Sequence, residues 1–405
     1  MRQRSGLART IQEGSLYLLL LLLPFSKAAV EILFPFLFVS WLVERLSPRT
    51  RTDTIWIRPD VRWLIVFLGG YLVVCALSIT VSTAPYLSLR GFIGKWLEYL
   101  LFFVVCADVG SRPGVATRSA AVLAISSVFV VIEAVTQELH GKGLFLGHEF
   151  IMYGRATGPY ENPIDLATYF MVVLPILLGY SASRRWPSRI LLWGLSLVLI
   201  IMFARTDALG AWLALCVGVV AVMSREALFR RYGLLIFVVV LLAAWLCPQS
   251  PGYIKEAFSL SRNGIADRWT MWQAAIGMIR DRPILGQGLN TFMDNYLRYR
   301  VGGEIWPRYA HNCYLQVAAE TGILGAVAFL ALLGLLFVRL LSGSHRGQPA
   351  DRVLLAGLAV GLLAFALQAG IDTNFYALRQ AALFWILAGL AVGVSARART
   401  ASRVS

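Results

Sequence analysis

Charged residues are scarce in this chain: Asp, Glu, Lys and Arg make up only 15% of its 405 residues, whereas hydrophobic residues make up 58%. The mean hydropathy of +0.68 is far above that of soluble globular proteins. Apolar runs of roughly 20 residues each match the thickness of a bilayer core, and the sequence lacks the short alternating segments of a membrane barrel. The composition predicts an all-α polytopic membrane protein, with residues 1–405 in a single transmembrane domain.

Motifs for metals and nucleotides are also missing. The four histidines include no His-x-x-x-His pair, and there is neither an Asp-x-Asp motif nor a Gly-rich phosphate loop. We therefore predict no metal, no cofactor and no nucleotide hydrolysis. Most of the five cysteines fall in apolar runs, which is typical of small buried residues. Cys247 and Cys313 bracket a large loop and could pair in an oxidising compartment.

The apolar runs predict about twelve transmembrane spans. They lie near 12–26, 28–44, 63–80, 91–107, 119–137, 164–182, 188–203, 209–223, 232–248, 313–341, 353–371 and 379–396. Arginines recur in every short loop on one side, so the positive-inside rule predicts cytoplasmic termini. The net charge of +15 is then explained by topology rather than by nucleic-acid binding. The loops 138–163 and 249–312 would face the periplasm of a bacterial inner membrane.

Basic residues near apolar boundaries on the predicted outer side need another explanation. They are Lys95, Arg155, Arg205 and Arg268. Charges at that depth are costly and usually functional, although snorkelling to lipid phosphates is an alternative for each one alone. Guanidinium groups bind phosphate oxygens through bidentate, charge-assisted bonds. Arginines from three separate segments therefore predict an anionic head group at the bilayer surface.

The large loop 249–312 contains a predicted helix at the membrane interface. One apolar face is formed by Ile265, Trp269, Trp272, Ile276 and Ile279. Arg268 would lie at the rim of this face, Asn263 would cap the helix and Pro283 would end it. Gly286 and Gly288 then permit a tight turn.

His311 separates this loop from the next apolar run. Asn312, Gln316 and Glu320 follow at intervals of four residues, so they form a polar stripe that must face protein or water. A histidine at a helix start is commonly a structural hydrogen-bonding residue. Here the stripe and the arginines favour a general base. Outside the cytoplasm the donor must arrive activated, and a sugar on a polyprenyl diphosphate fits, because arginines would stabilise the leaving group.

Several motifs between residues 150 and 325 resemble the lipopolysaccharide O-antigen ligases of the O-antigen ligase/polymerase superfamily. His311-Asn312 and Gly322-Ile323-Leu324-Gly325 match the pattern His-[Asn/Ser/Gln]-x9-Gly-x-x-Gly. The run from Arg155 to Pro163, Arg205 ahead of a span, Arg268-Trp269 and the run from Pro283 to Gly288 are also similar to this superfamily. Ala204 stands before Arg205 where family members often have serine, which leaves a role for that hydroxyl open.

The resemblance implies metal-independent, inverting transfer of O-antigen polysaccharide from undecaprenyl diphosphate to lipid A–core, on a twelve-span, GT-C-like architecture. His311 would be the catalytic base, and Arg205, Arg268 and, less directly, Arg155 would bind the diphosphate. The expected partners are the undecaprenyl-diphosphate-linked glycan, the lipid A–core acceptor and membrane lipids, without nucleic acid. Supporting roles are predicted for Asn312, Lys95, Asn162, Gln316 and Asp372.

Three alternatives remain open. O-antigen polymerases share the topology, but their Arg-x10-Gly repeats are not found here. Protein O-oligosaccharyltransferases share the histidine motif and typically extend further at the C-terminus. A flippase or transporter for lipid-linked oligosaccharides would bind without chemistry and would carry charges through the whole bilayer depth. Most charges of the predicted spans lie in their outer halves, which favours a one-sided site.

Overall fold

The computed structural model describes residues 2–47, 54–59, 61–149, 154–223, 265–302, 306, 309–343 and 348–404. Within these ranges the regular structure is helical, without a strand, apart from an isolated bridge between Lys142 and Glu149. The prediction of an all-α protein is confirmed.

The helices are numbered in chain order. They are α1 (Arg2–Leu22), α2 (Lys27–Arg45), α3 (Arg62–Thr80), α4 (Pro85–Gly91), α5 (Glu98–Gly110), α6 (Val115–His140), α7 (Pro163–Ala182), α8 (Trp186–Ala204), α9 (Leu209–Met223), α10 (Ile265–Asp281), α11 (Phe292–Tyr299), α12 (Cys313–Gly343), α13 (Pro349–Gln368) and α14 (Leu378–Val404). A π-helical segment, Phe92–Leu97, joins α4 to α5, and a 3-10 turn, Asn374–Tyr376, precedes α14.

Seven helices of the described chain are long and apolar enough to cross a membrane: α3, α6, α7, α8, α12, α13 and α14. The multi-pass prediction is confirmed in this form, and the count of twelve stays a prediction. α1 and α2 include several charged residues, and the predicted span 91–107 is divided between the π-helical segment and α5. α9 has only 15 residues, and the predicted span 232–248 lies outside the described residues.

Close backbone contacts hold the centre of the bundle together. α14 is the central helix, since 94% of the residues in its most apolar stretch are buried. A Cβ on its Gly389 would lie 2.6 Å from the Phe103 carbonyl oxygen of α5. On α13, a Cβ on Gly357 would lie 2.3 Å from the Pro175 carbonyl oxygen of α7. The hydrophobic effect does little to hold helices together within lipid. Close packing of backbones at small residues provides dispersion contacts that stabilise the helix pairs instead.

Ion pairs join helix termini at the end of the bundle away from the candidate residues, here called the opposite end. Glu44 of α2 is 2% exposed and contacts Arg9 of α1 at 2.7 Å and Arg112, just after α5, at 2.6 Å. Arg397 of α14 contacts Asp351 of α13 at 2.8 Å. These pairs bring the N-terminal parts of α1 and α13 to the same end as the C-terminal parts of α2, α5 and α14. The loops that meet at the other end, here called the site end, carry the candidate residues.

The structure describes parts of both predicted long loops. α6 continues to His140 and α7 begins at Pro163, which leaves 141–162 of the predicted loop 138–163. The predicted loop 249–312 is described from residue 265, where α10 begins. α10 ends before Pro283 as predicted, and the predicted cap Asn263 lies outside the described residues.

The buried side of α10 differs from the predicted apolar face. Met271, Ala274, Ala275 and Met278 pack into a small core with α11 and α12, whereas Trp269 of the predicted face is 53% exposed. Apolar side chains suit both a lipid interface and a protein core, so periodicity alone did not distinguish the two sides.

Candidate functional site

His311 and Asp372 meet at the site end. His311 stands directly before α12, and Asp372 lies in the loop between α13 and the 3-10 turn. The His311 Nδ1 atom is 3.6 Å from the Asp372 Oδ1 atom, with side chains 30% and 12% exposed. Because Nδ1 faces the carboxylate, Nε2 is the nitrogen available for proton transfer to or from a bound molecule.

The start of α12 is fixed to the same loop. The Cys313 N–H donates to the Ala369 carbonyl oxygen at 2.8 Å, and the Cys313 thiol donates to the Asp372 carbonyl oxygen at 3.1 Å. Asn312 caps the helix, since its Oδ1 accepts from the N–H groups of Tyr314 and Leu315 at 3.0 Å each. Cys313 is thus a buried packing residue, and Cys247, with which it could pair, lies outside the described residues.

A break in α12 accounts for Gly322 and Gly286, one glycine of each motif. Gly322 has φ 71° and ψ −175° within the helix, which releases carbonyl groups from the helical pattern. The Gln287 and Gly288 N–H groups bond the Ala319 and Glu320 carbonyl oxygens at 2.9 Å each. A Cβ on Gly286 would lie 2.4 Å from the Glu320 carbonyl carbon. Backbone groups of the segment 283–288 therefore bond the carbonyl groups that the break leaves without helical partners. Backbone polar groups inside a membrane need such partners, because no water is present to replace them.

The predicted polar stripe is buried among protein groups. Gln316 is 0% and Glu320 is 1% exposed. Glu320 accepts from the Asn290 N–H at 2.8 Å, and Lys95 on the π-helical segment donates to the Asn290 Oδ1 at 2.7 Å. The stripe faces protein, as predicted, and ties α12 to the π-helical segment through Asn290.

Arg155 and Arg205 form a second group at the site end, here called the arginine group. The Arg155 Nε donates to the Thr206 carbonyl oxygen at 2.8 Å, and Arg205 forms an ion pair with Glu138 at the end of α6. Burial raises the pKa of Asp207, and the charges of Arg155 and Arg205 oppose that rise. Both guanidinium groups therefore lie within electrostatic range of one carboxylate.

The arginine group adjoins the loop that carries Asp372. Gly210, at the start of α9, packs directly against Ile371, because a Cβ there would lie 2.4 Å from the Ile371 Cδ1. Ile371 precedes Asp372, and Gly210 follows Arg205 by five residues. The structure thus places the His311–Asp372 pair and the arginine group on neighbouring loops.

Two predicted residues form no hydrogen bond or ion pair with the His311–Asp372 pair within the described residues. Arg268 lies one helical turn before Met271 on α10, and no hydrogen bond or ion pair joins it to His311 or Asp372, all of which the structure describes. The Asn162 Oδ1 accepts from the Ile164 N–H at 2.9 Å and caps α7. The geometry gives Asn162, like Asn312, a capping role.

Arg379 was not among the predicted residues. It is 7% exposed and donates to the carbonyl oxygens of Pro24 at 2.7 Å and Pro159 at 3.0 Å. Its guanidinium carbon lies 4.4 Å from the centre of the Tyr160 ring. The signal was available, because Arg379 also begins an apolar run on the predicted outer side. Glu138 gave no comparable signal, since only folding brings it to Arg205.

Metal ligands are not clustered in the part of the chain that the structure describes, where no three His, Cys, Asp or Glu side chains form a group. Metal independence stays a prediction.

Comparison with known proteins bears on this site. Residues 190–330 match the family model described as O-Antigen ligase, and this stretch contains Arg205, Arg268, His311 and both glycine motifs. The predicted resemblance to the O-antigen ligase family is confirmed. Arg155, Asp372 and Arg379 lie outside the matched stretch.

The individual relatives are distant in sequence. A protein of Rickettsia felis named "Putative polysaccharide ligase" is 26% identical over 279 residues, which are 64% of this chain and 64% of the relative. A Rickettsia conorii protein of the same description is 26% identical over 152 residues, 34% of this chain and 36% of the relative. An uncharacterized Haemophilus influenzae protein is 20% identical over 192 residues, 42% of this chain and 47% of the relative. The chain thus covers between about a third and two thirds of each of these relatives.

Proposed function

We propose that this chain is a membrane glycosyltransferase that transfers O-antigen polysaccharide from undecaprenyl diphosphate to a hydroxyl of lipid A–core. The family match supports a polysaccharide ligase. The observation that carries the proposal is the His311–Asp372 pair, held 3.6 Å apart on a loop that adjoins the Arg155–Arg205 group. A base and a diphosphate-binding group are what this reaction needs from a protein.

His311 acts as general base in the proposed reaction. Its Nε2 takes the proton of the acceptor hydroxyl while that oxygen attacks the anomeric carbon from the face opposite the diphosphate. The bond from the anomeric carbon to the diphosphate oxygen breaks, and undecaprenyl diphosphate leaves with the bonding electrons. The Asp372 carboxylate orients the ring and stabilises the imidazolium that forms. Attack from the opposite face inverts the configuration.

The arginines stabilise the leaving group. Arg205 and Arg155, with Arg268 from α10, would bind diphosphate oxygens whose negative charge grows as the bond breaks. Lys95 and Gln316 support the site through Asn290 and Glu320.

The proposed topology has twelve spans in a GT-C-like arrangement in the bacterial inner membrane. The site end faces the periplasm, and both termini lie in the cytoplasm. The arginine-rich loops of the opposite end fit the positive-inside rule in this orientation.

The test is transfer by the purified protein with a lipid-linked glycan donor. Lipid A–core, a growing O-antigen chain and a pilin are offered as separate acceptors, so the assay separates a ligase from a polymerase and from a protein O-oligosaccharyltransferase. His311→Ala should reduce transfer at least about 10²-fold, because the hydroxyl then lacks its base. His140→Ala, at an exposed helix end, is the matched control and should keep full activity.

The outcomes are distinct. A lipid-linked oligosaccharide transporter should keep most of its activity in His311→Ala and should form no glycosidic bond with any acceptor. Either result would refute the proposed transferase, and transfer only to a pilin or to a growing chain would redirect it to that acceptor.

A further inference from the structure

Two buried residues of α12, Gln316 and Glu320, have no chemical step in the proposed reaction. We infer that they are positioning residues that hold His311 toward Asp372 by fixing the backbone of Ala310. The role in catalysis rests on the proposed function, whereas the positioning of the imidazole does not.

The backbone at His311 needs such a restraint. Its φ of +46° is in the left-handed region, where the side chain of an L-residue lies too close to the following carbonyl oxygen. Such a conformation persists only where the surroundings fix it. After His311, Asn312 caps α12. Before it, the buried Ala310 N–H donates to the Gln316 Oε1 at 3.2 Å, which completes the restraint.

Glu320 determines which way the Gln316 amide points. The Gln316 Nε2 donates to the Glu320 Oε1 at 3.2 Å, which leaves the Gln316 Oε1 facing the Ala310 N–H. Both oxygens of the Glu320 side chain act as acceptors in their contacts. The reversed amide would set an oxygen against the carboxylate and an NH₂ group against the Ala310 N–H, so both contacts would be lost.

Glu320 is itself fixed by donors from two other segments. Its Oε2 accepts from the Asn290 N–H at 2.8 Å and from the Tyr376 hydroxyl at 3.0 Å, and its Oε1 accepts from the Phe292 N–H at 3.3 Å. Every neighbour of the carboxylate is therefore a donor. An amide at position 320 must turn its NH₂ group toward a backbone N–H, either that of Asn290 at Oε2 or that of Phe292 at Oε1. The Phe292 contact is the longer of the two, so the NH₂ group is expected at the Oε1 position. There it also faces the Gln316 Nε2, and reversal of the Gln316 amide relieves that second contact.

The test is Glu320→Gln alone and combined with Gln316→Glu. The single change should lower kcat at least about tenfold, because a displaced base loses its alignment with the hydroxyl. The KM for the lipid-linked donor should stay within about threefold of the wild-type value, since the arginine group is untouched. In the double variant the carboxylate at position 316 accepts from both the Ala310 N–H and the amide at position 320. It should recover most of the lost kcat.

A second readout needs no activity. Diethyl pyrocarbonate modifies accessible imidazoles, and peptide mass spectrometry follows each histidine separately. The modification rate of His311 relative to that of exposed His140 should rise in Glu320→Gln and return toward the wild-type ratio in the double variant. An unchanged ratio, or a double variant no better than the single one in both readouts, overturns the inference. If the wild-type protein transfers no glycan, the proposed function fails and the modification ratio still decides the positioning.

Discussion

Replacing Asp372 by asparagine tests the His311–Asp372 pair directly. Asparagine keeps the size of the side chain but removes its charge, and the amide can present an NH₂ group to Nδ1, which favours the wrong imidazole tautomer. We expect the loss in kcat rather than in KM, because the carboxylate stabilises an imidazolium that forms only during the reaction.

The distance gives the magnitude. Two unit charges at 3.6 Å interact by about 1 kcal/mol in bulk water and about 5 kcal/mol at the effective dielectric constant of about 20 near a protein surface. His311 is 30% exposed and Asp372 is 12% exposed, so the pair falls between these limits. Since about 1.4 kcal/mol corresponds to a factor of ten, kcat should fall roughly 10- to 1,000-fold.

The assay is steady-state transfer with purified wild-type protein, Asp372→Asn and Asp294→Asn, with the melting temperature of each variant measured alongside. Asp294 is an exposed carboxylate on α11 and should be replaceable without loss. If Asp372→Asn keeps more than half of the wild-type kcat, the carboxylate does not assist His311 and the reasoning from the 3.6 Å distance is wrong.

Three further outcomes are expected. Gly322→Ala should lower the melting temperature by several degrees, because a Cβ there would lie 2.1 Å from the Ile284 carbonyl oxygen at φ +71°. Gly334→Ala on the same helix has open space around it and should not, so equal effects would contradict the role given to the break. Arg268→Lys should not rescue Arg268→Ala in the transfer assay, because a point charge cannot reproduce a bidentate contact; full activity of the lysine variant would show that this contact is not needed. Transfer by the purified protein should survive EDTA, and strong inhibition would overturn metal independence.

Local pattern predicted some features of the site well. The spacing of Gln316 and Glu320 placed both on one side of a helix, and burial of that side follows from the high cost of polar groups in lipid. Gly286 and Gly288 indicated a turn, and both have positive φ in the structure. The apolar face of α10 was harder to interpret, because Trp269 is equally suited to lipid and to a protein core.

Long-range contacts could not be predicted from local pattern. Gly322 was recognised as part of a motif. The carbonyl groups that its break in α12 leaves without helical partners accept hydrogen bonds from a segment more than thirty residues earlier in the sequence. Glu138 stands 67 residues from Arg205, and nothing near either residue indicates the ion pair.

The sequence by itself determined that the protein is helical and multi-pass, that polar residues line one side of α12, and that His311 stands at the start of that helix. Helical periodicity and hydropathy are local properties, so they can be read along the chain. The tertiary structure decided that Asp372 faces His311, that Glu138 pairs with Arg205, and that Glu320 accepts from its own helix and from two other segments. Each of these depends on how separate helices pack, and packing is determined by the whole bundle rather than by any one segment.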